Sequence, residues 1–285
     1  MNNITEKTYK DTVIRKLLRD EARAREVANA LLNTSFGEEA KTKIHDLKDS
    51  LSARYNDISF EIGDMFIVLI EHQSTIDSNI VLRILIYFLR VLNSYYVKSE
   101  NLYSKKLYKM PTPVFYVLYN GEAPLKKDII RLSDHFELSH EFSIELTVKL
   151  IDINKNSNNK ILEKSPSLKG YSHLIDLIRD SIKKGVDRDE AIKNALRECI
   201  DKKILHDFLQ NNFEEIINML NLEYDKETEI KIIRREEREE GKLEGKLEGR
   251  LEGKLEGKLE GVERMLELIK KGHSPEEAAL LIKGA

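Results

Sequence analysis

Residues 56–74 read NDISFEIGDMFIVLIEHQS, and this stretch constrains the fold most, because it sets two carboxylates and a glutamine into an otherwise hydrophobic hairpin. Ile58, Phe60 and Ile62 alternate with polar neighbours, the pattern of a strand with one buried face. Gly63-Asp64 signals a turn. Residues 65–70 are apolar at every position, as in a strand covered on both faces, and the run ends directly in Glu71-His72-Gln73-Ser74. A carboxylate at the end of a buried strand calls for a partner or a metal. Left unpaired away from water it costs about several kcal/mol or shifts its pKa.

Side chains alternate across a strand, and residues paired across two strands share a face. Glu71 and Gln73 therefore point the same way. Asp57 joins them only if it sits opposite Glu71, which requires Ile62 to pair with Phe66 across a three-residue connection, residues 63–65. A two-residue Gly63-Asp64 turn would set Asp57 opposite Ile70, on the wrong face. A metal site here thus predicts a three-residue loop or a β-bulge.

At 285 residues the chain is long enough for one to two domains with a sizeable core. Charged residues make up 34% of it, yet the formal net charge is only −3, so any nucleic-acid contact must come from a local patch. The single cysteine, Cys199, excludes an internal disulfide framework and suits a reducing compartment. The opening MNNITEKTYKD has no apolar core and is not expected to be a signal peptide. No uncharged apolar run reaches about 18 residues, so no membrane span is expected. These features predict a soluble cytoplasmic protein.

Residues 8–32 have helical spacing of Val13, Leu17, Leu18, Val27, Ala30 and Leu31. Asp11 lies in the first turn, where a carboxylate suits the helix dipole and could also reach a metal held by the hairpin. Residues 41–51 fit either a short strand or a helix. Asp77 or Ser78 is a candidate cap for a helix over 79–96, whose run VLRILIYFLRVL should pack on a sheet. Arg83 and Arg90 interrupt that run; either could hold a phosphate or satisfy a core carboxylate. Residues 101–110 are polar and basic, with Lys105, Lys106 and Lys109. Residues 113–119 and 142–153 read as further strands, giving a sheet of about four or five. Strand signals stop at the KNSNNK loop, residues 155–160, and 174–224 is helical throughout. Cys199 falls among apolar helix positions and reads as a buried, inert thiol. The expected division is a core over 1–155, a helical subdomain over 156–228 and a tail over 229–285.

Within that tail, residues 241–261 repeat Gly-Lys/Arg-Leu-Glu every four residues. A four-residue step on a helix advances about 400°, so successive leucines drift by about 40° and trace a slow right-handed stripe. Each glycine costs about 1 kcal/mol against alanine, partly offset by Lys and Glu neighbours. The tail is expected to be a marginal, extended helix able to self-associate, followed by a short amphipathic helix capped by Ser274-Pro275-Glu276-Glu277. The glycines match no Walker loop or dinucleotide fingerprint, and the histidines show no zinc spacing.

The blocks KTYKDTVIRKLL, NDISFEIGDMFIVLIEHQST, LRILIYFLRV, VFYVLYNG, YSHLIDLIRD, EAIKNALRECI and DFLQNNFEEIINML, followed by a Glu/Gly-rich repetitive tail, resemble the Rpn family of recombination-promoting nucleases, also labelled putative transposases. These belong to the PD-(D/E)XK nuclease superfamily. The resemblance covers nearly the whole chain. It implies an α/β fold with an αβββαβ core, in which an aspartate on the second strand and a Glu-x-Lys pair on the third bind Mg²⁺ or Mn²⁺. Asp57 and Glu71 match those acids. Gln73 stands where the superfamily has lysine, so it can orient by hydrogen bonding but brings no positive charge.

The implied activity is metal-dependent hydrolysis of DNA phosphodiesters in recombination or mobile-element biology. A hard cation held by Asp57, Glu71 and the His72 carbonyl would polarise the phosphate and acidify a water positioned by Gln73, with Asp11 as an additional ligand. Arg83, Lys105 and Lys106 are the candidate contacts to the DNA backbone. The competing expectation is a catalytically idle DNA-binding or assembly protein that oligomerises through its tail. A third takes Asp57 and Glu71 as ion-pair residues of an unrelated α/β module.

Overall fold

In the computed structural model of the chain, the residues described are 13–45, 57–75, 77–97, 103–138, 140–155, 157, 159–272 and 274–283. Contacts divide the chain into two compact units, residues 1–225 and 226–285.

The first unit is built on a six-stranded mixed sheet. Strands β1 (Thr42–His45), β2 (Asp57–Ile62) and β3 (Phe66–Gln73) form an antiparallel meander. After a helix over 80–91, β4 (Thr112–Tyr119) enters parallel to β3. Then β5 (Ile129–Arg131) and β6 (Thr147–Asp152) complete the order β1-β2-β3-β4-β6-β5, with β6 parallel to β4 and β5 antiparallel on the outer edge. The expected strand over 142–153 is shorter, because Phe142 and Ile144 are exposed in the loop that precedes β6. The three-residue β5 carried no periodic signal, being too short to show an alternation.

Residues Ile67–Ile70 of β3 are all buried because helices cover both sheet faces. On one face Ile58, Phe60, Val68, Ile70 and Leu118 share a core with α1 (Val13–Leu17), α2 (Glu21–Leu32), α4 (Lys160–Lys164), α5 (Pro166–Lys183), α6 (Arg188–Asp201), α7 (His206–Asn211) and the first turns of α8 (Phe213–Lys270). Each fully buried Leu or Ile contributes about 1.5–3 kcal/mol. The helices over 160–220 thus bury their apolar stripes in the same cluster as the sheet. Cys199 lies within it at 0% exposure, its thiol pushed up to about 11 by burial.

The helix expected over 8–32 is two helices, since Asp20 caps α2 by accepting the Arg23 N–H at 2.9 Å. That cap competes with helix continuation through residues 18–20. Residues 8–12, including Asp11, lie outside the described ones. The other sheet face is covered by α3 (Ile80–Val91), which runs into a π turn, Leu92–Tyr96. Ile80, Val81 and Ile84 pack there with Val117, Val148 and Leu150, and Val91 and Tyr96 with Ile67 and Leu69.

In the second unit α8 continues through the Gly-Lys-Leu-Glu repeats to Lys270, with Leu259, Val262 and Leu266 more than half exposed. A reciprocal capping box follows. Ser274 N–H donates to Glu277 at 3.0 Å and Glu277 N–H to the Ser274 hydroxyl at 3.3 Å, opening α9 (Pro275–Lys283). Among the described residues no helix is long and apolar enough to cross a membrane.

Candidate active site

The β2–β3 connection is the three-residue loop that the alternation argument requires. Gly63 and Asp64 adopt positive φ, +60° and +51°, and Met65 N–H closes the turn on the Ile62 carbonyl at 3.1 Å. Ile62 pairs with Phe66, so Asp57 pairs with Glu71. Directly opposed residues have Cβ atoms about 4.5–5.5 Å apart and share a face. Glu71 lies on the α3 side of the sheet. The side chain of Asp57 lies outside the described ones, and its backbone position is that of the β2 residue paired with Glu71.

Glu71 is only 6% exposed. Its Oε1 accepts from Gln73 Nε2 at 2.9 Å and, more closely, from Nη2 of Arg83. The arginine projects from the first turn of α3, and its Nη1 donates to Asp77 Oδ2 at 2.9 Å. Asp77 was expected only as a helix cap. Its second oxygen does order the entry to α3, by accepting Asn79 N–H at 2.9 Å, but the N-cap residue is Asn79. Asp77, Arg83, Glu71 and Gln73 thus form one chain of polar contacts. The sequence hinted at it only through an acid six residues before an arginine in an apolar helix.

Among the described residues, the buried atoms Gln73 Oε1 and Arg83 Nε have no hydrogen-bond partner. One is an acceptor lacking a donor and the other a donor lacking an acceptor. Such orphans typically cost about 1–3 kcal/mol each. The pair is complementary to a cation beside an anionic oxygen. Asp57, Glu71 and Gln73 would offer a metal oxygen atoms alone, a donor set that suits Mg²⁺ or Mn²⁺ rather than a softer metal. Among the described residues no three His, Cys, Asp or Glu side chains converge on a metal position, so such a site depends on Asp57 and the Gln73 oxygen.

His72 points to the opposite face. Its Nε2 lies 3.2 Å from the Tyr171 hydroxyl, and burial, aided by the Arg179 charge, pushes its pKa down to about 4. Its imidazole is therefore neutral near pH 7 and packed away from Glu71, leaving only its backbone carbonyl on the strand between the two site residues. Lys105 and Lys106 are exposed and lead into β4 at the end where Phe66 pairs with Thr112, whereas Gln73 pairs with Tyr119 at the other end. Strand register therefore does not bring them to Glu71. Arg83 is there, held by two carboxylates. Arg90 lies in the last turn of α3.

A second polar cluster follows the Asp57 face along β2. The His45 Nδ1 lies 2.9 Å from Ser59 Oγ, and its Nε2 lies 3.4 Å from the hydroxyl of Tyr96, which donates to Glu61. Burial, with Lys43 nearby, lowers His45 to about 4, while burial and the Glu61 hydrogen bond push the Tyr96 hydroxyl upward. With Ser59 at 0% exposure this network is sealed. It ties β1 and the π turn to β2 beside the acid pair.

A mixed α/β sheet between two helical layers thus carries a carboxylate, amide and guanidinium cluster at the end of a central strand. Residues 8–231 match the family model Transposase_31, described as "Putative transposase, YhgA-like". The match covers most of the chain, and the protein belongs to this family. No curated protein and no solved structure matches the chain.

Proposed function

We propose that this protein is a divalent-metal-dependent DNA endonuclease serving a mobile-element or recombination process. The observation that carries the proposal is the register that sets Asp57 opposite Glu71 with Gln73 next along the same face. The succession of helix, three antiparallel strands, helix and parallel strand agrees with the αβββαβ core of PD-(D/E)XK nucleases, and membership of a transposase family supports a substrate of DNA.

In this reading Asp57, Glu71 and the Gln73 oxygen would hold Mg²⁺ or Mn²⁺, with the His72 carbonyl and Asp11 as further ligands. The cation supplies Lewis-acid polarisation of the scissile phosphate and an acidified water. Gln73 is oriented by its Nε2 bond to Glu71, and its oxygen would position the attacking water. Arg83 holds Glu71 in position and offers its Nε–H to a phosphate oxygen. Lys105 and Lys106 add backbone contacts further along the duplex.

One observation favours an alternative. The Arg83 guanidinium already compensates Glu71, and no lysine stands at position 73, so the same site also suits a catalytically idle DNA-binding or assembly protein that oligomerises through its repeats. Supercoiled plasmid with Mg²⁺ separates the two. The enzyme reading expects nicking that Asp57→Ala and Glu71→Ala each abolish while DNA binding persists. Binding without cleavage in the unmodified protein refutes it.

A further inference from the structure

On the helical side of the sheet, facing away from Glu71, a cavity of about 830 Å³ opens between α2, α4, α5 and the turn at 202–205. Its size lies within the range of small-molecule pockets, about 300–1,000 Å³. It shares no residue with Asp57, Glu71, Gln73 or Arg83.

The charge around it is one-sided in effect. Lys155, Lys169 and Lys203 are exposed cations of its lining, and Arg23 stands over the Phe208 ring at 5.1 Å. Lys155 is shared with Asp176 at 3.0 Å, whereas among the described residues neither Lys169 nor Lys203 has an ion-pair partner. Of the two lining acids, Glu26 is already satisfied. Its oxygens accept from both Ser165 and Ser167 hydroxyls and from the Ser167 N–H, at the N-terminus of the 18-residue helix α5. The positive end of that helix further compensates it. Only Glu163, exposed on the rim, opposes an incoming anion.

Two of the lining residues carry buried polar atoms that lack partners among the described residues. Ser172 is 6% exposed and its Oγ is buried without a hydrogen bond, as is His173 Nε2 beside it. Burial and the Lys155 and Lys202 charges lower the His173 pKa, and the ring nitrogen can donate or accept according to its tautomer. Leu162, Pro166, Ile204 and Leu205 supply apolar wall.

We propose that this cavity is a binding site for a nucleoside phosphate, with Lys169 and Lys203 holding the phosphate, Ser172 and His173 bonding the polar edge of the base, and the Leu162, Ile204 and Leu205 side chains covering its ring. The combination selects an anion with a flat, partly apolar body over a bare anion or a neutral nucleoside. The site is separate from the acid pair across the sheet, so ligand occupancy does not compete with metal binding there.

Calorimetric titration of the full chain with AMP, adenosine and inorganic phosphate tests it. AMP is expected to bind, with adenosine and phosphate each weaker by about tenfold or more, the loss of about 1.4 kcal/mol. Lys169→Glu and Lys203→Gln, both at exposed positions, should each weaken AMP several-fold at unchanged melting temperature. Ser172→Ala should weaken AMP and adenosine but not phosphate. Glu71→Gln should leave AMP affinity unaltered. Absence of AMP binding at millimolar concentration overturns the proposal. So does AMP affinity indifferent to both lysine variants, phosphate binding as tightly as AMP, or loss of AMP binding in Glu71→Gln.

Discussion

Replacing Arg83 with leucine removes the guanidinium from Glu71 and leaves a carboxylate at 6% exposure with Gln73 as its identified remaining donor. Breaking a buried pair from one side costs about 3–5 kcal/mol. The Arg83 side chain is 27% exposed and shared with Asp77, so water and a second acid already weaken its hold; the lower end, about 3 kcal/mol, is the expected loss. With a urea m-value of about 3 kcal/mol/M, the midpoint should fall by about 1 M. Two further arms tie the loss to this contact. Glu71→Gln in the Arg83→Leu background should restore most of it, because the charge that Arg83 balanced is gone. Mg²⁺ at about ten times its dissociation constant should restore about 1.4 kcal/mol to Arg83→Leu. That recovery should be absent in the double variant. A midpoint shift below about 0.2 M, or a double variant less stable than either single one, refutes the view that Arg83 compensates a desolvated Glu71.

Acid should destabilise the fold through the buried imidazoles of His45 and His72. His45 and His72 have pKa values lowered from 6.5 to about 4, so below pH 6.5 the unfolded chain binds protons that the folded chain refuses. Stability should therefore be full above pH 6.5 and fall as pH drops toward 4, by about 1.4 kcal/mol per pH unit for each histidine. His72→Gln should remove about one histidine's share of that slope in urea midpoints measured across the window; an unchanged slope contradicts the burial of the ring. In the tail, a Cβ at Gly249 or Gly253 meets nothing within 4 Å, so Gly249→Ala and Gly253→Ala should each favour the helix by about 1 kcal/mol. Circular dichroism at 222 nm should show higher helicity and a later loss on heating; a lower signal would mean that the glycines serve close helix contacts.

The acid pair was legible only in part. Alternation sets Glu71 and Gln73 on one face, and counting adds Asp57 only if the loop holds three residues; β3 is apolar on both faces and fits either register, so the turn over 63–65 decided between them. The same logic found α3, whose apolar residues recur with helical period, and the capping box at Ser274. Local competition defeated the single helix over 8–32, where the Asp20 cap outweighs propensity, and the alternation through 142–146, where no neighbouring strand arrives to pair.

What the chain's order of residues determined by itself is therefore whatever repeats over a few positions, namely strand faces, helix faces and the repeat tail, whereas the hairpin register was settled by the turn. Only the tertiary structure decided which arginine meets Glu71, that Asp77 joins them, that His45 and Tyr96 seal the far end of β2, and that Lys169, Ser172 and Lys203 border one cavity. Those contacts join elements far apart along the chain, and their geometry follows from helices docking on a twisted sheet. Side-chain reach across such a docked interface has no period, and so leaves no trace in the spacing of the residues that meet there.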